Sequence, residues 1–160
     1  MYIPFEQLPP QARIWIYQAD RELTEPEVSE INKKAERFVT AWTTHGQTLQ
    51  ASAAVFYNRF LVLATDEAVS APSGCSIDAS DNFIRELEQA YGLSFFDRTK
   101  LFFLQNNQPQ AVALAELKTK IADGSITKNS LFFDNLVQTT AQLQGEWPKP
   151  AGESWLSKYF

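Results

Sequence analysis

The stretch Leu49–Ala64 constrains this chain most. Its first half alternates, with Leu49, Ala51, Ala53, Val55 and Tyr57 on one side, the period-two pattern of a half-covered strand. Its second half, Phe60-Leu61-Val62-Leu63-Ala64, is continuously apolar, as a strand covered on both faces is. Asn58-Arg59 between them predicts a two-residue turn, so the two runs read as a hairpin. A strand that is apolar on both faces must lie inside a sheet and beneath other elements, which calls for neighbouring strands and for helices to cover them.

The flanking sequence supplies both. Arg13–Tyr17 is rich in β-branched and aromatic residues and predicts a first strand. Thr24-Glu25-Pro26-Glu27 has capping-box spacing, with Thr24 as N-cap. Val28, Ile31, Ala35, Phe38, Val39 and Trp42 then recur at helical spacing, predicting a helix to about Thr44, with His45 at its negative end and Gly46 just past it. A second helix, capped by Asp78 or Ser80, carries Phe83, Ile84, Leu87, Ala90 and Tyr91 and stops at Gly92. Thr99–Gln105 predicts a fourth strand. The expected fold is α+β, in the ferredoxin-like order β-α-β-β-α-β, with an antiparallel sheet of four or five strands and two helices on one face. The chain is expected to be one domain, residues 1–160, with its core over about 13–105. A C-terminal helical extension over about 106–160 begins with a third helix at Pro109 and includes a weakly patterned helix between Asp134 and Gly145. Leu131-Phe132-Phe133 reads as a short strand, and the aromatic end Trp155–Phe160 as a segment that docks back on the body.

Composition narrows the function. A net charge of −5 with no basic run argues against nucleic-acid binding. One cysteine excludes an internal disulfide and cysteine-rich zinc sites. The first residues lack a basic and then apolar leader, and no window approaches 18 apolar residues, so no membrane insertion is expected and the cytoplasm is the expected location. No cofactor is expected. The abundance of aromatics, 12 Phe, 5 Tyr and 4 Trp, leaves room for a small molecule or a protein as partner, and a homodimer through an edge strand or the Trp155–Phe160 tail fits the same composition.

The hairpin also says where chemistry would gather. It brings the start of one strand beside the end of the next, so His45, the Asp66–Asp78 loop and the start of the second helix fall at one end of the sheet. His45 and Cys75 are the only histidine and the only cysteine. Cys75 as nucleophile, His45 as base and Asp78 as the orienting acid form the candidate catalytic set. The plainer reading makes Cys75 a small core residue and His45 a helix end. Trp42, Asp66, Glu67, Ser73 and Ser76 are candidate ligand contacts. Asp66, Glu67 and Asp78 could hold a hard cation, although nothing here has the dense spacing of a metal loop, and no metal is expected. Asp97-Arg98 reads as a structural ion pair or a substrate clamp.

Phe60–Glu67 also has the outline of a Walker B segment, an apolar strand followed by Asp-Glu. None of the six glycines, at 46, 74, 92, 124, 145 and 152, precedes a lysine, so there is no phosphate-cradling loop of the kind nucleotide hydrolysis needs. Trp42-Thr43-Thr44-His45-Gly46, Phe60–Glu67, Ser73-Gly74-Cys75-Ser76-Ile77-Asp78-Ala79-Ser80 and Phe96-Asp97-Arg98 resemble motifs of a family of short bacterial proteins of unknown function. Its members often carry the inherited name "ABC transporter ATPase". The resemblance runs over nearly the whole chain and the Ser73–Ser80 motif is its most distinctive part. It implies a stand-alone cytoplasmic protein, brings no catalytic residues with it, and its name conflicts with the missing phosphate loop. Two functions are therefore carried forward: a small ligand- or partner-binding protein with its site at the His45–Asp78 end of the sheet, or a thiol-dependent acyl hydrolase or transferase using Cys75 and His45.

Overall fold

The computed structural model describes residues 1–160 and has α+β architecture with antiparallel sheets. Two compact units form, Met1–Asp97 with Gln138–Thr140, and Arg98–Val137 with Ala141–Phe160.

In the first unit β1 (Arg13–Gln18), β4 (Ala51–Phe56) and β5 (Phe60–Thr65) make a sheet in the order β1-β5-β4. The continuously apolar β5 is central and every residue of it is buried, as its composition requires. The register places Ala51, Ala53 and Val55 of β4 opposite Thr65, Leu63 and Leu61 of β5, on one face. Helices α1 (Glu25–Ala41) and α2 (Gly74–Tyr91) cover that face, burying Ile31, Ala35 and Val39 from α1 and Ile84 and Leu87 from α2 against Leu61 and Leu63. Each fully buried isoleucine, leucine or valine of this kind contributes about 1.5–3 kcal/mol. Each edge of the sheet is met by a short stretch of chain at one end. Ile3 N–H donates to the Ala51 carbonyl (2.7 Å) on the β4 side, and Ile14 N–H donates to the Gln138 carbonyl (3.0 Å) on the β1 side. The turn between β4 and β5 holds three residues, Tyr57 to Arg59, with Tyr57 and Asn58 both at positive φ (55° and 56°), in place of the expected two-residue Asn58-Arg59 turn.

Helix α1 begins as its sequence predicts. Thr24 Oγ1 accepts from Glu27 N–H (3.3 Å) while Glu27 Oε1 accepts from Thr24 N–H (3.0 Å), which occupies two otherwise orphaned donors. Glu27 also forms a forked pair with Arg21 (2.8 Å on both arms), and Arg21 Nη2 donates to the Tyr91 carbonyl (2.8 Å) at the end of α2. Its C-terminus differs from expectation. The helix stops at Ala41, and Trp42 is extended (φ −74°, ψ 128°). Residues 43–48 then form a small hairpin, β2 (Thr43–Thr44) and β3 (Gln47–Thr48), joined by His45 and Gly46 at φ 48° and 79°. Gly46 is therefore a hairpin-turn residue rather than a helix stop, and His45 lies outside the helix.

The second unit corrects the expected sheet and the expected extension. The fourth strand exists, as β6 (Lys100–Gln105), but it pairs with β7 (Gln108–Ala113) and β8 (Leu131–Phe132), in a sheet ordered β7-β6-β8-β9 with β9 at Lys149–Pro150. The expected helix at Pro109 is thus a strand. Asn106 and Asn107, at φ 53° and 62°, turn the chain back on β6, and Leu101 faces Val112 across the pair. Pro109 fits because β7 is an edge strand, and its position next to the turn-closing pair points its missing N–H away from β6. Helix α3 is confined to Leu117–Ala122 and α4 to Thr140–Gly145. The aromatic tail forms a 3-10 turn at Trp155–Tyr159 whose Leu156 is fully buried with Leu101, Phe103, Leu117 and Phe132.

Candidate functional site

The short hairpin of residues 43–48 and the start of α2 come together through Trp42 and Ser76. The Trp42 indole N–H donates to the Ser76 carbonyl (2.8 Å), and the Ser76 hydroxyl donates to the Thr43 carbonyl (2.6 Å). Ser73, rather than Asp78 or Ser80, caps α2. Its Oγ accepts from Ser76 N–H (3.2 Å), and its own N–H donates to Ser76 Oγ (3.0 Å). Since the Ser76 hydroxyl proton is committed to Thr43, Ser73 is left as donor in the 3.0 Å contact between the two hydroxyls. The cap is a reciprocal box with serine where glutamate or glutamine is usual, which hides it from the ordinary sequence signature. Ser80 instead back-bonds to the Ile77 carbonyl (2.7 Å) within the helix.

This arrangement leaves a cavity of about 610 Å³ between the end of α1, the small hairpin and the first turn of α2. Phe38 and Trp42 form its aromatic wall, held by a stack of Phe38 on Phe83 (centroids 4.5 Å, planes 2° apart) and an edge contact of Trp42 with Trp15 (6.1 Å). Thr43, His45, Ser73 and Cys75 supply the polar part of the lining. Cys75 is exposed and is the second residue of α2, because the helix starts earlier than a cap at Asp78 or Ser80 would place it. Neither the His45 ring nor the Cys75 thiol makes a hydrogen bond within the protein.

Of the candidate residues, then, Trp42, His45, Ser73 and Cys75 meet around one cavity, although Cys75 is far from His45 in sequence. Ser76 is buried and supports that cavity from behind. Asp66, Glu67 and Asp78 do not line it. Asp66 Oδ1 accepts from Ala68 N–H (3.1 Å) in its own turn, Glu67 pairs at the surface with Arg13 (3.4 Å), and Asp78 is exposed on α2. The separate bonds of Asp66 and Glu67 break up the cation site that the sequence allowed, and no group of three potential ligands is positioned to hold a metal ion. Arg98 is exposed, so Asp97-Arg98 is not a buried ion pair. Phe38, Ala41, Thr43, Gly46, Gly74 and Ala79 also line the cavity. Phe38 had a sequence signal, its place in the apolar stripe of α1 four residues before Trp42.

The fold and site define an α+β protein with an aromatic-walled cavity at one end of a three-stranded sheet, and no helix in it is long and apolar enough to cross a membrane. No family model, curated protein or solved structure matches the chain.

Proposed function

We propose that the protein binds a small molecule in the cavity bounded by Phe38, Trp42, His45 and Cys75. The observation that carries this reading is the cavity itself. Its volume, about 610 Å³, falls in the range of small-molecule sites, and its lining joins two aromatic side chains to a few polar groups. The ring contacts and the Trp42–Ser76–Thr43 bonds hold the wall in place, so a ligand need not order it. The setting we propose is the bacterial cytoplasm, on the strength of the family resemblance.

A fragment screen read by NMR tests it. Binders should shift the Trp42 indole N–H together with His45 and Cys75, and Ala79→Phe, which fills the cavity from α2, should abolish those shifts in a folded protein. Binders that perturb only residues elsewhere, or that bind the Ala79→Phe variant as before, would overturn the proposal.

A second reading rests on the exposure of Cys75 in a cavity it shares with His45. In it the protein is a thiol-dependent acyl hydrolase or transferase, with Cys75 as nucleophile and His45 as base. Alkylation of Cys75 in native protein, followed against pH, separates the two. Reaction through a thiolate formed well below the ordinary pKa of about 8.5 supports the enzyme, while an ordinary thiol leaves the binding role alone.

A further inference from the structure

Strand β7 is the edge of its sheet, and one side of it faces no other strand. The two-residue turn at Asn106-Asn107 fixes which backbone groups point where. Gln108, Gln110 and Val112 turn theirs to β6, as does Leu114, whose N–H donates to the Thr99 carbonyl (2.9 Å). Pro109, Ala111 and Ala113 therefore turn theirs outward. Ala111 offers both an N–H and a carbonyl there, and Pro109 offers a carbonyl and no N–H. Ala113 offers an N–H. Its carbonyl is already used, because Ala113 is the N-cap of the 3-10 turn Leu114–Glu116 and accepts the first bond of that turn. Other edges are met within the chain or are short. On β4, Ala51 bonds to Met1 and Ile3, and Val55 N–H donates to Asn32 Oδ1 (2.9 Å), while β9 has two residues and ends in Pro150.

We infer that a second copy of this chain pairs with β7, antiparallel about a two-fold axis at Ala111, and joins two four-stranded sheets edge to edge. The outward pattern is complementary to itself in that register. Ala111 N–H donates to the carbonyl of the partner's Ala111 and accepts the same bond in return. Ala113 N–H donates to the carbonyl of the partner's Pro109, and the reverse bond forms by symmetry. The bond that Pro109 cannot donate is the one that the Ala113 carbonyl does not need. A foreign strand with an ordinary residue opposite Ala113 would bring an N–H that the occupied carbonyl serves poorly. Residues 108–115 carry no charge, so the axis sets no like charges against each other. Ala111 is exposed and small, which lets the two backbones approach. The pairing uses the second unit alone and is independent of the cavity.

Sedimentation of the full chain over a range of concentrations tests this, with amide exchange followed by NMR. The mass should rise from one chain toward two. The Ala111 and Ala113 amides should gain protection as it does, while those of Gln110 and Val112, already bonded to β6, should not change. Ala111→Pro deletes an outward N–H and should weaken association about tenfold or more, through the loss of two bonds. Ala111→Lys sets like charges on the axis, so it should weaken association too and regain part of it in high salt. The lysine variant keeps every backbone group and decides the matter if the proline variant fails to fold. A monomer at every concentration, or a dimer that Ala111→Lys leaves intact, would overturn the proposal. Equal protection of the two amides by an unrelated extended peptide without proline would overturn the choice of partner.

Discussion

Trp42 and Ser76 are 34 positions apart and are joined by a 2.8 Å hydrogen bond from indole to backbone carbonyl, answered one atom group away by the 2.6 Å bond from the Ser76 hydroxyl to Thr43. This pair of bonds ties the end of α1 and the small hairpin to the first turn of α2, whose cap is Ser73.

Ser76→Ala should therefore cost more than a surface serine. It removes the acceptor for Ser73 N–H and the donor to Thr43 together, and a cap of this kind with a buried hydrogen bond is worth about 1–2 kcal/mol. Urea denaturation would show a lower midpoint with an unchanged slope. A midpoint equal to the parent's would mean that the box does not hold the helix start.

Gly46→Ala tests the hairpin that presents His45. The added methyl meets nothing within 4 Å, so its effect is conformational, the strain of φ +79° on a residue with a Cβ. The expected loss is about 1 kcal/mol, seen as a lower melting temperature, with faster amide exchange at residues 43–48.

Acid should weaken the protein through Glu27. Arg21 and the Thr24 N–H hold its carboxyl at about 2, below the ordinary 4.5. A lowered carboxyl pKa stabilises the folded state fully above pH 4.5, and that contribution is lost as pH falls toward 2. Arg21 is partly exposed, so screening reduces the contribution to about 1 kcal/mol. Comparing the protein with Glu27→Gln in urea between pH 2 and 6 should show the gap widest above 4.5 and closed near 2. A gap independent of pH would assign the effect to packing instead.

In the second unit, Asn107→Gly should stabilise. Asn106 and Asn107 occupy the two left-handed positions of a two-residue hairpin turn, and glycine adopts the second more readily than asparagine. A gain of about 0.5 kcal/mol in equilibrium unfolding is expected. A loss would show that the Asn107 side chain contributes more than the relief of its backbone.

What the sequence determined by itself is local. The Thr24–Glu27 cap, the stripe of α1, the glycine stop after α2 at φ 62° and the two-sided burial of β5 all follow from residues within a few positions of one another. Their signals are capping stereochemistry and hydrophobic period, which need no distant partner. The gathering of His45 and Cys75 at one end of the sheet was legible too, because the hairpin fixes which strand ends are neighbours.

Tertiary structure alone decided the rest. Trp42 continues the helical pattern, yet it leaves the helix to bury its ring and bond to Ser76, a gain no local window contains. Gln108–Ala113 is rich in residues that suit a helix, but pairing with β6 and the Leu101–Val112 contact make it a strand. Glu67 carries the composition of a ligand site and is paired at the surface with Arg13, 54 positions away. For Trp42 and for Gln108–Ala113 the local preference amounts to less than about 1 kcal/mol per residue, and burial or strand pairing outweighs it.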